Sequence, residues 1–164
     1  MILGMSIGAF TLLHVVITLV AIGSGLIVVG GMFASRVLSV TTALFLFTTA
    51  LTSVTGFLFP IHGFTPALGV GILACLILVF VLFALYKEHL AGAWRPIYVI
   101  TAVVSLYLNV FVLVAQSFMK VSALNALAPT QSEPPFAITQ VVVLVIFVLI
   151  ALIAIVKFRP VPTA

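Results

Sequence analysis

Three histidines stand in this chain of 164 residues. Imidazole is the side chain best suited to bind a metal or move a proton near neutrality. His14 lies inside a long apolar run, His62 follows Pro60 in a short gap between two such runs, and His89 lies in the next gap. If each run crosses a membrane, His14 and His62 share one side and His89 takes the other. Two imidazoles on one side are what a bis-histidine haem b requires, and they would also suit copper or zinc. A haem b or metal ion held by His14, with His62 as second ligand, is therefore one expectation. The plainer one is that His14 hydrogen-bonds across a helix bundle to a Thr or Asn and that His62 is a solvated loop residue. The position of His62 after a proline, rather than on a helix face, counts against haem.

The remaining polar groups at membrane depth are amides. Asn109, Gln116 and Gln140 stand in apolar runs, where an unpaired amide is costly. Each is expected either to pair between helices or to line a polar ligand site. His14, Gln116 and Gln140 all fall toward one end of their runs, which suggests a vestibule opening on that side. Glu133 is the one carboxylate there and joins His14, Asn109, Gln116 and Gln140 as a candidate ligand contact. The segment Thr130-Gln131-Ser132-Glu133-Pro134-Pro135 reads as specific chemistry rather than filler.

Several reaction classes are excluded by count. The only two carboxylates, Glu88 and Glu133, fall in gaps on opposite sides, so paired-carboxylate catalysis fails. Cys75 is the single cysteine, which removes an internal disulfide and a cysteine-ligated cluster. No Gly-rich phosphate loop follows a strand. A Ser nucleophile beside His14 has nothing specific to support it. The net charge of +4 comes from basic residues scattered singly at the ends of apolar runs, which argues for membrane topology and against nucleic acid.

The elements that must position these groups follow from composition. Hydrophobic residues make up 65% of the chain and charged residues 5%, against about 25% charged in soluble domains. Only lipid solvates such a surface. A spanning helix needs about 20 mainly apolar residues, and segments near 6–32, 37–59, 66–86, 96–119 and 136–157 qualify. Proline and charge mark the breaks: Arg36, Pro60 with Pro66, Lys87 with Arg95-Pro96, and Pro129 with Pro134-Pro135. The N-terminal run lacks a positive flank and is too long for a signal sequence, so it reads as the first span. A β-barrel is excluded because no run alternates with period two. The fold class is thus all-α, a single domain over 1–164 forming an integral membrane bundle of five transmembrane helices. The second and third spans, joined by a very short gap, have a re-entrant hairpin as their alternative.

Orientation follows from the basic residues. With the N-terminus outside and the C-terminus inside, Arg36, Lys87, Arg95, Lys157 and Arg159 face the cytoplasm and only Lys120 lies outside, as the positive-inside rule requires. Tyr86, Trp94 and Tyr98 are expected as interfacial anchors at the cytoplasmic end. Small and polar residues mark helix contacts. Gly4, Gly8, Thr11, His14, Thr18, Ala21 and Gly25 form a stripe on the first span. The hydroxyl-rich second span is expected to bond largely back to its own carbonyls. Spans one, two and four should therefore form the interior, with three and five more exposed to lipid and the face of span five around Val145 and Leu149 meeting lipid or another subunit. A helical extension of the fourth span to 128 is expected to lie over the outer mouth and bury Leu124 and Leu127.

These readings converge on a small polytopic protein of the bacterial inner (plasma) membrane. It is expected to be non-catalytic and to bind a small ligand or partner protein through its outer half. The alternatives are a membrane redox protein carrying haem b or a metal, and a transporter subunit acting as an oligomer. Lipid is the certain partner, with a second copy or another membrane subunit as further candidates.

Overall fold

The computed structural model describes residues 1–60, 63 and 65–160. Six α-helices follow in chain order: α1 (Ile7–Phe33), α2 (Ser39–Gly56), α3 (Pro66–Leu82), α4 (Trp94–Lys120), α5 (Ser122–Leu127) and α6 (Pro134–Lys157). A π-helical turn, Phe83–Lys87, continues α3. Five of these helices are long and apolar enough to cross a membrane, which makes this a multi-pass membrane protein. The span boundaries agree with the sequence reading within about three residues. His62 lies outside the described residues. Both α2, at 18 residues, and α3 with its continuation, at 22 residues, are long and apolar enough to cross a membrane, as two separate spans require.

Local chemistry sets the helix starts. The Ser6 hydroxyl accepts from the Ala9 amide, and the Thr65 hydroxyl accepts from the Leu68 amide. Each satisfies one of the amides that a helix start leaves without a partner. Pro66 and Pro134 occupy first-turn positions of α3 and α6, where the missing N–H costs nothing.

The helix order in space follows from burial. Burial is greatest in α4, then α2 and α1, and least in α3 and α6. Helix α4 is the hub: it packs on α1, α3 and α6 and touches α2, while α1 lies most closely along α2. The interior helices are those richest in small and polar residues, as expected. Val145 and Leu149 of α6 are about half exposed, on its lipid-facing side.

The core is not spread evenly along the bundle. Its members include Val28, Met32, Phe45, Leu78, Val81, Tyr98, Leu106 and Phe158. All lie between the middle of the bundle and the end where α1 stops, α2 starts, α3 stops, α4 starts and α6 stops. We call this the closed end. It is clasped by the C-terminal segment: Phe158 is buried against Tyr98, and the Arg95 guanidinium donates to the Phe158 carbonyl at 2.6 Å. The backbone N–H of Arg159 donates to the Ser35 hydroxyl.

Three expectations are corrected here. Tyr98 is not an interfacial anchor: it is 2% exposed inside the closed end, while Tyr86 is exposed and Trp94 packs on Phe83. Gly4 and Gly8 do not mediate a helix contact. Gly4 precedes α1 in a turn with φ +78°, and a Cβ on Gly8 would meet nothing within 4 Å. The close approach lies at Gly25, where a Cβ would stand 2.7 Å from Leu106 and 2.9 Å from Phe45. Finally, α4 does not run on to 128. Val121 turns to extended backbone (φ −89°, ψ 114°), and 122–127 forms a separate short helix with Leu124 half-buried and Leu127 exposed. Helix propensity favoured continuation, but the Asn125 amide donates to the Phe118 carbonyl and stabilises the bend.

Candidate functional site

From the tight contact at Gly25 the helices spread toward the opposite end. There α1, α2, α3 and α4 enclose a cavity of about 620 Å³. Its walls are mostly aliphatic, and its polar groups include His14 and Thr18 on α1, Thr52 and Ser53 on α2, and Asn109 and Gln116 on α4. The stripe on α1 therefore does two jobs. Its lower part (Ala21, Gly25) packs, and its upper part (Thr11, His14, Thr18) lines the cavity.

His14 is half-buried and held from three directions. Its Nδ1 lies 2.8 Å from the Thr55 hydroxyl of α2. Its ring meets the edge of Phe59 at 5.4 Å between centroids, and Phe59 in turn packs on Phe10. Its backbone carbonyl accepts from the Thr18 hydroxyl, which also lies 3.4 Å from that of Thr52. The ring is thus fixed while Nε2 has no protein partner among the described residues.

Deeper in, Asn109 is 6% exposed and its amide donates to the Thr49 hydroxyl of α2 at 3.0 Å. This is the interhelical amide bond expected for it. Gln116 lies about two turns nearer the mouth and faces the cavity without a protein hydrogen bond among the described residues. Lys120, at the last turn of α4, lines the mouth and is exposed. The sequence reading treated Lys120 as a flank of the outer loop; its spacing from Asn109 and Gln116, eleven and four residues along one helix face, was the available signal.

The other candidates lie elsewhere. Gln140 is buried between α6 and α4, where its amide donates to the Phe111 carbonyl at 3.2 Å, leaving its Oε1 buried without a partner. Glu133 caps the start of α6 away from the cavity lining. Its carboxylate accepts from the Thr130 amide and hydroxyl and from the Ser132 amide. Partial desolvation pushes the Glu133 pKa up, but these hydrogen bonds outweigh it and hold the carboxyl below its ordinary value. The loop chemistry seen in the sequence is accounted for by this local network.

No protein-family model matches this chain, and no curated protein or solved structure is similar to it. The site must be read from its own groups. Among the described residues no three His, Cys, Asp or Glu side chains come together to hold a metal. Among the described residues His14 alone brings an imidazole to the cavity. His89 sits in the connection at the closed end, and the second ligand proposed for haem, His62, lies outside the described residues. What the arrangement offers is a largely apolar pocket with one oriented imidazole, two amides, a few hydroxyls and a cation at its rim.

Proposed function

We propose that this membrane protein binds a small ligand in the cavity between α1 and α4, and that it is non-catalytic. The observation that carries the reading is the joining of His14, Asn109 and Gln116 on one apolar cavity. Ligand pockets are commonly concave and mainly apolar, with a few converging polar groups that fix orientation. Below Thr18 and Asn109 the helices close at Gly25, Phe45 and Leu106, which favours a pocket over a passage through one chain. We further propose that the cavity end faces the cell exterior. Five basic residues, Arg36, Lys87, Arg95, Lys157 and Arg159, fall at the closed end and only Lys120 at the cavity end, the asymmetry the positive-inside rule assigns to the cytoplasm.

The test is ligand-dependent stabilisation in detergent. A ligand at a hundred times its Kd stabilises by about 2.7 kcal/mol, a rise in Tm of roughly 5–10 °C for a chain of this size. Dodecanol, laurate and 4-nonylphenol serve as neutral, anionic and phenolic probes. The cavity-blocking variant Val112→Phe should keep its fold and lose the shift. Shifts that survive the block, or none with any probe, refute the reading. Orientation is read by single-cysteine labelling on a Cys75→Ala background. Glu133→Cys should label from outside intact cells and His89→Cys should not.

A further inference from the structure

The hydrogen bonds around His14 specify which ligand chemistry the cavity accepts. The Thr55 hydroxyl carries one proton and lies 2.7 Å from the Leu51 carbonyl and 3.2 Å from that of Thr52. A helical threonine donates to such a carbonyl. With its proton so placed, the same oxygen can only accept from His14 Nδ1 at 2.8 Å. An imidazole at membrane depth is cheapest when neutral, and a neutral ring has one N–H. That proton is on Nδ1. Nε2 therefore presents a bare lone pair, an acceptor with no donor among the described residues.

Position adds a second constraint. His14 stands seven residues into α1, about 10 Å along the helix. Lys120 stands eleven residues beyond Asn109, about 16 Å along α4. Asn109 thus lies deep and Lys120 at the rim, while His14, beside Thr55 and Gly56 at the last turn of α2, stands between them in the mouth half. An anionic head held by Lys120 with an acyl tail pointing inward would lay methylenes against His14 Nε2 and Gln116, and bury their polarity unpaired. The reverse pose spares His14 this cost: a neutral polar head donates to Nε2 and the apolar part stays out. Ile7 and Val15 both line the cavity and are exposed on α1, so the cavity opens along a lipid-facing helix and an apolar tail can leave by that side.

Resting on the pocket reading above, we infer that the ligand is a lipid-soluble phenol or quinol, whose ring hydroxyl donates to Nε2 of His14 while its apolar tail extends toward lipid. Thr55 acts as a positioning residue, because it fixes the tautomer and never touches the ligand.

The experiment compares 4-nonylphenol with its methyl ether, which matches it in shape and apolar surface but has no proton to donate. Binding is measured calorimetrically to the full chain in detergent. The phenol is expected to bind at least about tenfold more tightly than the ether, the difference of one buried hydrogen bond. Thr55→Val leaves the imidazole present but frees its proton to move to Nε2, so the preference should fall severalfold. His14→Gln carries both donor and acceptor and should bind the two probes within about threefold of each other. His14→Phe should lose the preference entirely, and His14→Gln keeps the test open if that variant fails to fold. Equal binding of phenol and ether by the wild type overturns the inference, as does a preference that survives His14→Gln and Thr55→Val. Laurate binding that depends on Lys120, with no phenol binding, overturns it while leaving the pocket reading intact. If neither phenol nor laurate nor dodecanol binds, both fail.

Discussion

Adding one methyl group at Gly25 tests the tight contact from which the cavity spreads. The Cβ of Gly25→Ala would stand 2.7 Å from Leu106 Cδ1 and 2.9 and 3.0 Å from two ring carbons of Phe45. Carbon atoms prefer roughly 3.5–4.0 Å, so each contact is short by about 0.5–1 Å. The touched atoms belong to side chains, but Leu106 and Phe45 are 0% and 1% exposed and have no free space to retreat into. Overpacking of this kind costs about 1–3 kcal/mol. At about 2–4 °C per kcal/mol for a chain of this size, Tm in detergent should fall by roughly 2–12 °C. Gly8→Ala is the matched control. Its Cβ meets nothing, so its Tm should stay within about 2 °C, the effect expected of a surface change. The double variant Gly25→Ala with Leu106→Val should lose less than the sum of the two, because the valine withdraws the nearest clashing carbon. An unchanged Tm for Gly25→Ala, or an equal loss for Gly8→Ala, would refute the placement of the contact.

Further expectations concern single interactions. A double-mutant cycle on Asn109→Leu and Thr49→Val should give a coupling of about 0.6–1.7 kcal/mol, the range of interhelical polar pairs in membranes, read from denaturation in detergent; zero coupling removes the bond. Phe158→Ala should cost about 3–5 kcal/mol because the ring is buried against Tyr98, whereas Arg95→Ala should cost less, about 1–3 kcal/mol, since it removes one hydrogen bond to a backbone carbonyl. Glu133 supplies a pH dependence with a defined sign. Its folded pKa is depressed, so its contribution is present above the ordinary carboxylate pKa and fades as pH falls through the lower folded value. Thermal scans below about pH 4.5 should show a small loss in the wild type that Glu133→Gln lacks; an identical acid limb in both would exclude the network as its source.

The spans were legible in the sequence because lipid imposes one rule on every backbone group, and because proline and charge end each run. The identity of the interior helices was legible too, since Thr49, Asn109 and the α1 stripe carry polarity that lipid would penalise. What a linear pattern cannot carry is the distance between faces. Gly8 and Gly25 lie on one stripe and look alike, yet one meets open space and the other meets Leu106. The same ambiguity hid the cavity: a polar stripe reads as a helix contact until the structure shows the helices diverging along it. The bend at Val121 was missed because good helix formers follow it and the bonds that hold it, such as Asn125 to the Phe118 carbonyl, link positions seven residues apart. Gln140 and Gln116 carry the same chemistry, but one ended between α4 and α6 and the other on the cavity, a difference set by which neighbour faces each helix.

The gathering of the core at the closed end has a consequence for motion. Local opening costs least where few apolar contacts are lost. Around Tyr98, Leu106 and Phe158 an opening would break the whole packed cluster. Around Thr11 and His14 it would break fewer contacts, a hydrogen bond to Thr55 and the packing of Phe10 and His14 on Phe59. Protection of backbone amides from exchange should therefore be graded along α1, high from Ala21 to Met32 and falling toward Ile7, although α1 is one continuous helix. The bundle is then rigid at one face of the membrane and compliant at the other, with the hinge of that gradient at the turn carrying Gly25.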